Sequence, residues 1–166
     1  MNNFGNETSD NLEGTIKINI SRVSFRPFLR FNRISNYLYF DENRLSAQAN
    51  SDILLLTPGL HFDYQLTSKI KWSNTARYNT VSGGSADNYR LPELMVLSQL
   101  AYRNIIFNGK MMVHTGIETF FQTGYKPLAY DPLIQQYYVQ NTFETSDYAK
   151  VDLFVNFKVG NFLFLV

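Results

Sequence analysis

Cysteine is absent from the 166 residues, which removes disulfide frameworks and thiolate chemistry but says little about compartment. No window approaches the roughly 18 consecutive apolar residues that a spanning helix needs; runs such as Ile53 to Leu56 are far shorter. A helical membrane protein is excluded. An excess of one charge is missing too: 15 basic and 14 acidic side chains leave a net charge of +1, so no nucleic-acid partner is expected. No phosphate-binding glycine loop occurs, and Gly83-Gly84-Ser85-Ala86 lacks the second flanking glycine of a nucleophile elbow. Aromatic side chains, in contrast, are abundant. Phe 14, Tyr 11 and Trp 1 make 16% of the chain, a composition suited to pleated surfaces and membrane interfaces. The mean hydropathy of -0.22 leaves a transmembrane barrel open, because alternation averages lipid-facing residues with polar ones.

Alternation runs through most of the chain. Ile16, Ile18 and Ile20 alternate with Lys17, Asn19 and Ser21; near Arg22 the parity switches, and Val23, Phe25, Leu29 and Phe31 oppose Ser24, Arg26, Arg30 and Asn32. Such a change of face needs a turn or a bulge. This second strand is expected to continue through Asn36 to Phe40. A third sets Leu54, Leu56, Leu60, Phe62 and Tyr64 against Thr57, Gly59, His61, Asp63 and Gln65, and turns at Thr67-Ser68 into a fourth carrying Ile70, Trp72, Ala76 and Tyr78. A fifth spans Leu91 to Ile106, and Asn108-Gly109 is the strongest short hairpin signal in the chain. Met111 to Gln122 alternates again, with Gly116 and Glu118 on its polar or small face. Tyr125 to Pro132 is an extended proline loop, Leu133 to Phe143 reads as another strand, and Val151 to Val159 is followed by a hairpin at Gly160-Asn161.

The pattern is all-β and antiparallel, about eight strands plus a stub, preceded by a polar segment 1–13 that reads as loop or disorder. Most strands exceed the ~5 to 6 residues usual in soluble sheets and suffice for a bilayer, which ~9 to 11 tilted residues cross. Connections alternate short and long, as in an up-and-down transmembrane β-barrel. The Gly160-Asn161 hairpin breaks this rule, so either that loop is trimmed or a strand near 144 is misplaced. Neither an export leader at the start nor a terminal turn after Phe162 to Val166 is evident, so the expectation is a single domain over 1–166 that is the C-terminal fragment of a larger barrel.

The order of the motifs, a Gly-x-Glu strand (Gly116, Glu118), a Tyr-x-Pro-x-x-Tyr-x-Pro connection (Tyr125, Pro127, Tyr130, Pro132) and a Tyr-x-Gln-Asn strand (Tyr138, Gln140, Asn141), resembles the putative β-barrel porin family of Gram-negative outer membranes. Asp152 to Val159 and Asn36 to Asp41 are similar to other parts of that family, so the resemblance covers most of the chain. It implies a porin in the cell outer membrane, contacting outer-membrane lipid and passing small polar solutes by passive diffusion.

On that reading Lys69, Lys71, Arg77, Glu93, Arg103, His114, Glu118, Asp152 and Lys158 are candidate lumen-lining residues. With Lys17, Arg26 and Arg30 against Asp63, the inward set is basic in excess, which favours anions. Tyr125, Tyr130, Tyr137 and Tyr138 read as part of an interface girdle. His61 shares a face with Asp63, and His114 with Glu118, but nothing joins the two pairs. No catalytic, metal or cofactor residue is assigned, and the protein is not expected to be an enzyme. The competing class is a soluble β-barrel or sandwich with its apolar faces turned inward on an apolar small ligand.

Overall fold

A run whose successive side chains prefer opposite solvents satisfies both only on a pleated backbone, and the long alternating runs are strands in the computed structural model, which describes residues 4–165. In chain order the strands are β1 (Thr8–Thr15), β2 (Ile18–Ile20), β3 (Val23–Ser35), β4 (Leu38–Phe40), β5 (Ser46–Gln48), β6 (Ile53–Gln65) and β7 (Ile70–Tyr78). Then follow β8 (Thr80–Ser82), β9 (Leu94–Ile106), β10 (Met111–Gln122), β11 (Ala129–Asp131), β12 (Gln136–Tyr138), β13 (Tyr148–Val159) and β14 (Phe162–Leu165). A 3-10 turn at Ala86–Asn88 is the one helical segment among the described residues.

Ten strands make one antiparallel sheet in the order β1-β3-β6-β7-β9-β10-β13-β14, with β2 also on β3 and β8 also on β6. Successive long strands are neighbours, the signature of an up-and-down meander. Two prolines explain the broken labels. Thr15 pairs with Phe28 and Ile18 with Phe25, so β1 and β2 are one strand interrupted opposite Pro27. In the same way β7 and β8 are one strand interrupted opposite Pro58. A proline inside a strand removes one ladder donor, and here the register carries on past each gap.

Four expectations are corrected. Thr8–Thr15 is an edge strand rather than loop, because ladder bonds need no apolar side chains and polar pairs such as Arg30 with Glu13 hold it to β3. Residues 1–3 of that polar segment lie outside the described residues. Asn36 to Phe40 does not extend β3: Asn36 has φ 57°, which turns the chain away, and β4 pairs with β5 in a hairpin of its own. The fifth strand begins at Leu94 and not at Leu91, just past Pro92.

The fourth correction concerns Leu133 to Phe143, which does not join the sheet. Asp131 Oδ1 accepts from Leu133 N, Gln135 takes φ 55°, and only Gln136–Tyr138 pairs, with Ala129–Asp131. The side chain of Gln140 then holds the segment in a coil: its amide donates to the carbonyls of Pro127 and Phe143, and its oxygen accepts from Phe143 N. The sheet therefore has seven full passes and a short eighth, β14. Removing the extra strand restores a regular alternation: short connections at 21–22, 66–69, 107–110 and 160–161, long ones at 36–52, 83–93 and 123–147.

The sheet is open rather than closed, with β1 at one edge and β14 at the other. Neither face is covered by a second layer. Dry packing concentrates at the long-loop end, where Ile34, Ala49, Ile53 and Val139 are buried and Ile53 is fully so.

Candidate functional site

Register divides the sheet into two faces of opposite chemistry. One carries Val23, Phe25, Leu29 and Phe31 from β3, Leu56, Leu60, Phe62 and Tyr64 from β6, Trp72 from β7, and Leu100 from β9. Ile117 of β10 and Val151, Leu153 and Val155 of β13 continue it. These side chains form a continuous exposed apolar surface rather than scattered single residues: Leu153 is 75% exposed, Val151 67% and Ile20 68%. Three polar groups on this face bond within the protein. Thr115 Oγ1 donates to Phe154 O at 2.8 Å, Thr119 Oγ1 to Ser98 O at 3.3 Å, and Trp72 Nε1 to Ser98 Oγ at 2.9 Å. On the same face Asn74 Nδ2 is buried without a partner. Tyr64, Trp72 and Tyr102 stand on neighbouring strands toward the short-turn end.

The opposite face is polar. Ser24, Asp63, Ser73, Gln99, Glu118 and Asp152 lie side by side in one row across six strands. Its carboxylates are partnered: Lys71 Nζ lies 3.2 Å from Asp63, Lys150 Nζ 2.8 Å from Asp152, and Gln99 donates to Glu118 at 3.1 Å. Closer to the loops, Arg30 binds Glu13 at 2.8 Å. Gly116 sits in the middle of this face between Ala101 and Phe154, where a Cβ would collide with the Leu100 carbonyl and stand 2.9 Å from both Ala101 Cα and the Phe154 ring. The glycine is required by close approach of neighbouring chains.

Of the residues singled out from the sequence, Lys71, Arg77, Arg103, His114, Glu118, Asp152 and Lys158 share the polar face by register. Two do not belong with them. Lys69 is in the 66–69 turn, and Glu93 precedes β9, where its carboxylate accepts from the phenol of Tyr78 on the apolar face. The histidines stay apart. His61 bonds Thr75 at 2.9 Å and His114 packs on Phe154, with ring centroids 5.1 Å apart. Arg26 and Arg30, read as inward from the sequence, also share this face, since both have the β3 parity of Ser24.

The long loops interlock at one end. Arg44 Nε meets the buried Asp131 at 2.7 Å and its guanidinium lies over the ring of Tyr138. Arg90 donates to Asn141, which in turn donates to Glu42, so all three long loops are joined through one amide. Tyr125, Tyr130, Tyr137 and Tyr138 belong here and not to the strands of the ten-stranded sheet; Tyr130 packs on Tyr137 across the β11–β12 hairpin. Burial, with Tyr89 and Glu7 nearby, raises the phenol of Tyr37 in the same assembly.

At the foot of the first long loop, Asp52 accepts from Arg33 Nε at 2.7 Å. Hydrogen bonds from Ser35 and then from Arg33 hold its carboxyl below the usual carboxylate range. A lowered folded value means stability that is present above the unfolded pKa and lost as pH falls through the folded one. Acidification below about pH 4 is therefore expected to lower amide protection, taken relative to the intrinsic exchange rate, at residues 36–52, and Asp52→Asn to remove that acid dependence. Unchanged acid dependence in the variant would refute the assignment.

In class the strands define an all-β, antiparallel up-and-down sheet, apolar and bare on one face and polar on the other, with short turns at one end and long loops at the other. A family model described as putative porin matches residues 1–166, and the chain belongs to that family. No curated protein and no solved structure matches the chain.

Proposed function

We propose that the chain forms part of the wall of an outer-membrane pore through which small polar solutes diffuse passively. The observation that carries the reading is the uncovered apolar face, continuous over seven strands and backed by an equally continuous polar face. Water against the first would be costly at about 25 cal/mol per Å2, whereas lipid there and water on the other face satisfies both. In this reading the rows of unpaired backbone groups on β1 and β14 pair with further antiparallel strands, since lipid tolerates no open edge. An aqueous lumen also requires ~16 or more strands. The protein's own residues supply the barrier and selectivity, with no bond-making step.

The test is far-UV circular dichroism and sedimentation of the chain with and without detergent micelles. A β-rich, dispersed species only in detergent is the expected result. A folded monomer in plain buffer would mean that the apolar face is a core, and would turn the search to apolar ligands of a soluble barrel.

A further inference from the structure

Resting on the pore reading, a recognition point can be located on the polar face. Between β1, β3, β6, β7 and β9 the face is dished around a cavity of about 390 Å3 that Leu91 of the second long loop helps to line. Two arginines reach it. Arg30 is neutralised by Glu13 at 2.8 Å. Arg77 is not: its Nε and Nη2 donate to the Met95 sulfur at 3.3 and 3.0 Å, and it meets no carboxylate among the described residues. A thioether is a weak acceptor, so the strongest donor fork in the cavity is paired with the poorest partner available. The rest of the polar lining is neutral. Asn79 is buried and fixed, accepting from Thr57 at 3.0 Å and donating to the Pro92 carbonyl at 2.8 Å, which leaves its position independent of any solute.

Opposite Arg77 on β6 stands Gly59, which contributes no side chain, and the ring of Phe28 occupies the space above that glycine. Phe28 is buried and its ring is 5.1 Å from the Arg30 guanidinium. Arg77 therefore has an apolar wall on one side, amides near it, and one uncompensated positive charge. We infer that Arg77 is a binding site for the carboxylate of a small monovalent organic acid, which displaces the Met95 sulfur and accepts two parallel N–H···O bonds. A planar fork suits a carboxylate. The single net charge of the cavity matches a monoanion.

The experiment is calorimetric titration of the full chain, folded in micelles at low ionic strength, with sodium benzoate and with benzyl alcohol as the uncharged control. Saturable binding of benzoate alone is expected, weakened at least tenfold in Arg77→Gln, partly retained in Arg77→Lys, and unchanged in Lys110→Gln, which alters a distant turn. Equal binding by Arg77→Gln, or equal binding of the alcohol, would overturn the assignment. Should Arg77→Gln fail to fold, Met95→Leu decides: freeing the guanidinium should keep or strengthen benzoate binding, and its loss would sink the proposal. If the chain folds in buffer instead, the pore reading fails while the same titration still reports on Arg77.

Discussion

Leu153→Arg is expected to destabilise the detergent- or bilayer-folded chain by about 2–4 kcal/mol, the cost of an arginine on the lipid face of a barrel near its midplane. Leu153 lies midway along β13, opposite Ile117, and is 75% exposed. Exposure that large makes the position a sharp discriminator. On a water-facing surface such a substitution falls within about 0.5 kcal/mol of neutral and helps solubility. Asn156→Arg, three residues on and on the polar face, provides the matched control and should change stability little. Equilibrium unfolding of the two variants beside the parent separates the cases. Equal, small effects at both positions would place water on both faces and remove the basis of the membrane reading.

Gly116→Val is the second large effect, and its mechanism is independent of solvent. The Cβ collides with the backbone carbonyl of Leu100 and comes within 2.9 Å of Ala101 Cα, atoms that cannot rotate away. Relief demands spreading of β9 from β10 in the centre of the sheet, so a loss of about 3 kcal/mol or more is expected. Two other glycines calibrate this. At Gly59 the obstacle is the ring of Phe28, a side chain that can move, and Ala there should cost less. At Gly14, on the edge strand, a Cβ meets nothing within 4 Å, and Ala should be nearly neutral. Circular dichroism in micelles during denaturant titration would rank the three. A Gly116→Val variant as stable as Gly14→Ala would show that the sheet opens at this point without cost.

Residue parity made the division of faces legible in advance. Met111, Val113, Thr115, Ile117, Thr119 and Phe121 share one face of β10, as alternation implies, and turns fall at 21–22, 67–68, 108–109 and 160–161, with positive φ at Ser21, Asn108, Gly109 and Gly160 and also at Phe107, a bulky residue that nothing in the sequence marks for it. Parity could not tell a strand from a coil that alternates. Leu133 to Phe143 has a strand's pattern, yet Asp131 and Gln140 spend their side chains on nearby backbone groups and compete with the ladder. The converse failure lies at Thr8–Thr15, where polar composition hides a strand that is held by register with β3.

Local chemistry by itself therefore determined that this is an all-β chain with two faces of unlike solvent preference and with hairpins at particular glycines and asparagines, because those properties depend on residues at most a few positions apart. Tertiary structure decided what depends on distant pairing: that Arg77 faces a thioether while Arg30 faces Glu13, that Glu42, Arg90 and Asn141 join three loops, and that Gly116 is wedged between two strands. Sequence separation carries no distance. Only the register of one strand against the next brings such groups within bonding range, and a slip of one residue would have reversed every face.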